Sequence, residues 1–268
     1  MTHTHHIPQA ATQVLKLYIL LCGYEILKKS DSTRGRDERF MLAVPISAYL
    51  LETTDGFILV DSGLNTDILN SVDLRHQYYT SRGWTPPIAQ PEHELLHQLA
   101  QVGIRPQDVG RVILTHMHMD HTGGLKHFQH AAITVQRNEH SYAFQPDHDP
   151  SWFDVDYDMP GLHWNLIDGD TEVIPGVRCI ATTGHTVGHQ SVVVDLPQTG
   201  TVVLVGDVAD LMENFRDEVL PGIASDDTAA LDSIRRVNDL ASTRQARLFL
   251  CHDPDFVHHA KLAPDYYE

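Results

Sequence analysis

The stretch Thr115-His-Met-His-Met-Asp-His-Thr-Gly-Gly124 constrains this chain more than any other. Four side chains able to ligate a metal, His116, His118, Asp120 and His121, follow directly on the apolar run Arg111-Val-Ile-Leu-Thr115, which reads as a buried strand. His116 and His118, two apart, point the same way if extended geometry persists through them. A turn can then swing Asp120 and His121 toward a second point, so the run can serve two metals rather than one. Gly123 and Gly124 allow a tight turn and a close backbone approach. The plain alternative is a solvated, histidine-rich loop; burying these groups without a metal or hydrogen-bond partners would be costly.

Three further candidates stand at the ends of predicted strands. His185 lies just beyond Val177–Ala181, Asp207 follows Thr201–Val205, and His252 follows Arg247–Cys251. Loops at strand ends are where a rigid scaffold displays functional groups. Imidazole and carboxylate donors without a thiolate suit zinc, and also iron, cobalt or manganese. The reading is two divalent ions, most simply Zn2+. His116, His118 and His185 hold one, Asp120, His121 and His252 hold the other, and Asp207 bridges them around a shared hydroxide. Asp120 and Asp207 therefore count as catalytic as well as ligating residues. Bound water at such a centre reaches a pKa of roughly 7, so no serine or cysteine nucleophile is needed.

Ser62 is not in a GxSxG context. Asp61 reads as a partner that orients a ligand imidazole, or as a plain turn cap. His189 is kept out of the ligand set. Cys251, next to His252, is expected to turn away into the core by strand alternation.

Along the chain, Val14–Leu21, Val44–Leu51 and Phe57–Val60 read as strands, the last two joined by the turn Thr54-Asp55-Gly56. Residues 64–91 have no clean periodicity, carry Tyr78, Tyr79 and Trp84, and are expected to be a substrate-capping loop. Glu92–Val102 has a helical apolar stripe. Ala132–Gln136 is a short strand, and 140–170 reads as irregular. Strands then return at Val177–Ala181, Gln190–Leu196, Thr201–Val205 and Arg247–Cys251, with an amphipathic helix at Asp227–Ala241. Two strand-rich halves, each with helices, imply two packed sheets with helices outside, one domain spanning 1–268. No GxGxxG or GxxxxGKS/T is present, so a dinucleotide or P-loop fold has no support.

Composition narrows the partners. The formal charge is −17, from 36 acidic against 19 basic residues, which disfavours nucleic acid and anionic membranes. Val14–Cys22 contains Lys16 and is too short to span a bilayer, and no export signal is read before it. Cys22, Cys179 and Cys251 form no CxxC pair and suggest a reducing, cytoplasmic setting. The histidines of Met1–His6 could bind metal only loosely. An oligomer is compatible with the sequence, but nothing in it dictates one.

The HxHxDH run with Gly123-Gly124, Gly184-His185-Thr186, Gly206-Asp207 and His252-Asp253 together resemble the metallo-β-lactamase superfamily over nearly the whole chain. Tyr49–Thr53, Ile58–Gly63, Val135–Arg137, Gly184–Ser191 and Glu213–Phe215 look most like its quorum-quenching N-acyl homoserine lactone lactonases. The resemblance implies an α/β fold, an αβ/βα sandwich of two mixed β-sheets with helices on the outer faces. It also implies a dinuclear site carried by the seven positions above, opening a small-molecule lactone ring. One position departs from that pattern: three residues after the bridging aspartate, where the lactonases usually have tyrosine, stands Asp210. An ionised carboxylate cannot donate a hydrogen bond. Asp210 could instead pass a proton to the leaving alkoxide, or Tyr49, Tyr78 or Tyr79 could reach in. Aromatics from 64–91 and 140–165 are expected to line an apolar channel for an acyl tail. The rival readings are hydrolysis of another lactone, a thioester or a phosphotriester, an iron- and flavin-dependent redox enzyme, and a non-catalytic binding protein that keeps the fold.

Overall fold

The structure, a computed structural model, describes residues 13–268; the histidines of Met1–His6 lie outside the described residues. Strand β1 (Val14–Lys28) pairs antiparallel with β2 (Met41–Thr53), and β2 returns through Thr54-Asp55 into β3 (Gly56–Val60). Three parallel neighbours follow, β4 (Val109–Ile113), β5 (Ala132–Gln136) and β6 (His163–Ile167), completing a six-stranded mixed sheet in sequence order. The second sheet holds β7 (Thr171–Ile174), β8 (Val177–Ala181), β9 (Gln190–Leu196), β10 (Gly200–Leu204) and β11 (Arg247–Phe249), in the order β11-β10-β9-β8-β7. Only β10 and β11 run parallel there.

Strand alternation explains how the sheets stack. In β1, Leu17 and Ile19 face the second sheet, meeting Val192, Val194 and Leu204, while Tyr18 and Leu20 face the outer layer. Sheets buried on both faces need nearly continuous apolar strands, which is how β1, β9 and β10 read. A register shift between Leu21 and Gly23 re-aims the far end of β1.

The helices cover the outer faces and the rim. They are α1 (Lys29–Ser32), α2 (Thr66–Asn70), α3 (Val72–Tyr78), α4 (Leu95–Gln101), α5 (Met119–Thr122), α6 (Arg137–Ala143), α7 (Asp154–Tyr157), α8 (Met212–Asp217), α9 (Asp227–Arg244) and α10 (Pro254–His259). Asp226 caps α9 by accepting from the Thr228 and Ala229 N–H groups, and α9 buries Ile234 and Val237 on the second sheet.

Three expectations are corrected. Residues 64–91 are not structureless: Asn65 and Ser71 cap α2 and α3, a polar-cap signal hidden by the short helices it opens. Residues 140–170 include the end of α6, all of α7 and the strand β6, whose mixed, half-exposed pattern masked it. The helix expected at Glu92–Val102 is shorter, with a 3-10 turn at Pro91–His93 before α4. Among the described residues no helix is long and apolar enough to cross a membrane.

Candidate metal centre

The seven donors all project from the loops at one end of the sandwich. The chain leaves β4 through Leu114 and Thr115, presents His116 and His118, and turns into α5, which carries Asp120 and His121. His185 follows β8, Asp207 follows β10 and His252 follows β11. Gly123 makes the close approach possible: a Cβ there would lie 2.0 Å from the Asn65 backbone nitrogen, so the loop after β3 is packed directly on α5.

The side chains converge in two sets. His116 Nε2 and His185 Nε2 each lie 3.0 Å from His118 Nδ1. In the second set, His121 Nε2 is 3.1 Å from Asp120 Oδ2, and His252 Nε2 is 3.5 Å from the same oxygen. Asp207 stands between them. Its Oδ2 lies 3.4 Å from His185 Nε2 and 3.7 Å from His116 Nε2, while its Oδ1 lies 3.2 Å from His252 Nε2 and 3.3 Å from His121 Nε2. Donors about 2.1 Å from a tetrahedral ion sit about 3.4 Å from one another, which is the spacing seen here.

Proton accounting points the same way. His116 Nδ1 faces the Thr115 hydroxyl at 3.1 Å, and His185 Nδ1 faces the Ile223 carbonyl at 3.3 Å. With a proton on each outer nitrogen, both Nε2 atoms present bare lone pairs to His118 Nδ1. One proton cannot serve both, and three electron-rich nitrogens at one point call for a cation. His121 Nε2 is buried with no hydrogen-bond partner. Charge agrees as well. Burial drives His116 and His118 well below the ordinary histidine value. Burial opposes a charge on His121 too, yet Asp120, Asp207 and Asp61 outweigh it and hold that imidazole well above. Burial also works against ionised Asp207, but His252, His121 and His116 hold it well below the carboxylate range. The residues present therefore fit metal ions.

The outer nitrogens are fixed by the fold. Asp61 Oδ2 accepts from His121 Nδ1 at 2.9 Å and from the Thr115 hydroxyl at 2.8 Å, while its Oδ1 accepts the Thr115 N–H. His252 Nδ1 donates to the Pro45 carbonyl at 2.8 Å. His189 uses both ring nitrogens elsewhere: Nδ1 donates to the Thr182 carbonyl, and Nε2 accepts the Asp207 N–H at 2.8 Å. It lies within reach of His116 and Asp207 but has no free lone pair to offer.

Other expectations meet mixed outcomes. The buried Ser62 hydroxyl donates to the His121 carbonyl, a structural bond. Cys251 is buried, and burial raises its thiol to about 11. It does not turn away, however: β11 ends at Phe249, strand alternation stops there, and Sγ lies 3.6 Å from Asp207 Oδ1.

A cavity opens onto the cluster from solvent and is lined by His118, Asp120, His185, Asp207, Asp210 and His252 among others. Asp210 thus faces it, with its carboxyl raised by burial. Glu25, Leu27 and Asp31 from the re-aimed end of β1 and from α1 also line it, as do Pro221 and Ile223. Sequence reasoning missed Glu25 and Asp31, because neither stands near a donor motif in the sequence. Burial and nearby Asp120 push Glu25 up to about 8. Among the described residues none of the lining comes from 64–91, and no Phe, Tyr or Trp contributes to it. Tyr78 and Tyr79 stack on Phe153 instead, and Tyr142 on Trp152, because large rings gain more from the core beneath the rim. Tyr49 is buried between the sheets, its hydroxyl without a partner. Trp152 does reach the centre's edge, against the His118 ring at 4.1 Å.

Comparison with known proteins agrees with this architecture. The chain is 33% identical over 253 residues to the N-acyl homoserine lactonase AiiA of Bacillus thuringiensis subsp. kurstaki, covering 94% of this chain and 99% of that protein. It is 28% identical over 265 residues to the N-acyl homoserine lactonase AttM of Rhizobium radiobacter, covering 94% and 98%. Among solved structures, an N-acyl homoserine lactone hydrolase with N-hexanoyl-L-homoserine at its catalytic metal centre superposes with a TM-score of 0.86 at 32% identity, covering 96% and 100%. The family model for the metallo-beta-lactamase superfamily matches residues 42–252, the span that holds both sheets' central strands and all seven donors, and the chain belongs to that superfamily.

Proposed function

We propose that this protein is a dinuclear metal-dependent lactonase that opens the ring of N-acyl homoserine lactones. His116, His118 and His185 would hold one ion, Asp120, His121 and His252 the other, and Asp207 would bridge them, with Zn2+ as the natural occupant of such a donor set. When bound, the ions supply an attacking water of lowered pKa and polarise the lactone carbonyl. The observation that carries the reading is Asp207, whose two oxygens face two separate groups of ring nitrogens.

The chain's own groups do the rest. Asp61, Pro45 and Ile223 hold the imidazole tautomers, and Asp120 and Asp207 hold the site's negative charge beside the reacting water. Addition to the carbonyl carbon is followed by cleavage of the ring C–O bond, and the leaving oxygen must gain a proton. Asp210, facing the cavity where relatives of this kind usually carry a phenol, would deliver that proton. The product is the acyl homoserine. Three buried, free cysteines fit a reducing, cytoplasmic setting.

A second reading is favoured by a specific feature: the carboxylates of Glu25, Asp31 and Asp210, rather than aromatic rings, line the cavity. A different lactone, a thioester or a phosphotriester would use the same centre. Zn2+-loaded protein offered N-acyl homoserine lactones from short to long acyl chains, alongside those other classes, decides between them. Ring opening of the homoserine lactones is expected. Absence of turnover at every chain length would remove the narrow assignment.

A further inference from the structure

The geometry points to Glu139 as a positioning residue for one half of this centre, an inference that rests on the dinuclear reading above. Its carboxylate ties the turn that carries His116 and His118 to the loop that carries His185, holding three nitrogens at one point.

Glu139 lies in the first turn of α6 and is fully buried. Its Oε1 accepts the N–H of Met117, the residue between His116 and His118, at 2.9 Å. Its Oε2 accepts the Thr186 hydroxyl at 2.7 Å and the Gly188 N–H at 3.0 Å, both from the loop that begins with His185. A carboxylate buried this deeply survives only where donors surround it. Here all three donors come from the two ligand-bearing loops. The fit is also steric: a Cβ on Gly188 would lie 2.3 Å from the Glu139 backbone nitrogen, so the loop sits directly on α6 with no room between.

The other half of the centre is anchored by different groups. Asp61 holds His121, the Pro45 carbonyl holds His252 and His189 holds the backbone of Asp207. Glu139 touches none of these anchors, so its influence falls on one ion. That asymmetry separates a positioning role from a general contribution to folding.

The test uses the full chain loaded with two Zn2+ and titrated with a competing chelator, reading bound metal per chain. Glu139→Gln keeps the size but turns an acceptor into a donor facing the Gly188 N–H. One ion is then expected to leave at about 10–100-fold weaker chelation, while the second is held as in the unaltered protein. Thr186→Val, which removes one donor, should act in the same direction by a smaller factor, and Asp61→Asn should weaken the other ion. With Co2+ in place of Zn2+, the absorption band of the subsite with three histidines should be the one lost first in Glu139→Gln. Equal weakening of both ions, or of neither, overturns the proposal. If Glu139→Gln does not fold, Thr186→Val is judged by the same criterion. An unaltered protein that holds fewer than two ions would overturn the dinuclear reading itself, before any variant is compared.

Discussion

Replacing Asp61 by asparagine tests whether the metal centre is wired through its outer hydrogen bonds. Asp61 sits at φ 59°, a left-handed position that asparagine tolerates about as well as aspartate. The substitution therefore alters one atom rather than the backbone. The Thr115 N–H keeps its acceptor, but the oxygen that faced the Thr115 hydroxyl and His121 Nδ1 becomes an NH2 group. The Thr115 hydroxyl oxygen can accept from the new NH2 group while it goes on accepting from His116 Nδ1 at 3.1 Å, its own hydrogen turning away. His121 has no such freedom. To avoid two donors facing each other, its proton must move to Nε2, the nitrogen that faces Asp120 and Asp207. Hydrogen bonds to a charged acceptor contribute about 1.5–3 kcal/mol each, so losing one and weakening another costs about 3 kcal/mol in the metal-free protein. For a chain of this size that is a fall in Tm of about 6–12 °C. Forcing the wrong tautomer should weaken the adjacent ion by about 10–100-fold, or about 1.4–2.7 kcal/mol. Thermal unfolding with and without Zn2+, followed by chelator competition, measures both quantities. If Asp61→Asn unfolds within 2 °C of the parent, on the same scale of about 2–4 °C per kcal/mol, and binds both ions unchanged, Asp61 is a turn cap and the wiring argument fails.

Two further outcomes follow from the same structure. Stripping metal from the protein should lower Tm, since a ligand present at 1,000 times its Kd stabilises by about 4 kcal/mol, and His116→Ala should lower metal affinity and Tm together. Asp156 supplies a pH test away from the centre. Burial raises its carboxyl to about 7; Oδ1 accepts from Asn65 Nδ2, and Oδ2 is buried without a partner. An unfolded aspartate titrates near about 3.9, so between those values the folded state holds the extra proton. The protein should therefore lose stability from this group as pH rises from about 4 through about 7, by at most about 4 kcal/mol. Asp156→Asn should abolish that loss and unfold at a higher temperature than the parent at pH 8, as read by circular dichroism; a pH-independent difference would refute the assignment.

Much of the architecture could be read from local patterns. β5, β8 and β9 have the bounds that the apolar runs suggested, and the α9 stripe places Ile234 and Val237 on the sheet as expected. Elements whose stability comes from caps or from a single buried edge were harder to see. α2 and α3 are held by Asn65 and Ser71 and have too few turns to show a period, while β6 is an edge strand with mixed polarity. Glu139 and Glu25 look like ordinary surface carboxylates in the sequence. Only their neighbours in space, two ligand loops for one and the cavity wall for the other, give them a role.

By itself the sequence determined which side chains could ligate and on which strand ends they ride, because strand periodicity and donor chemistry are local properties. The tertiary structure decided which donors share an ion, for that depends on where the loops meet. The order β11-β10-β9-β8-β7 brings Asp207 and His252 from neighbouring parallel strands to the same edge, opposite the turn after β4. It also decided what the substrate would meet. The Tyr, Trp and Phe rings of α3, α6 and residues 151–157 gain more by packing on one another than by facing water, so the wall beyond the ligand histidines was left mainly to carboxylates and aliphatic side chains.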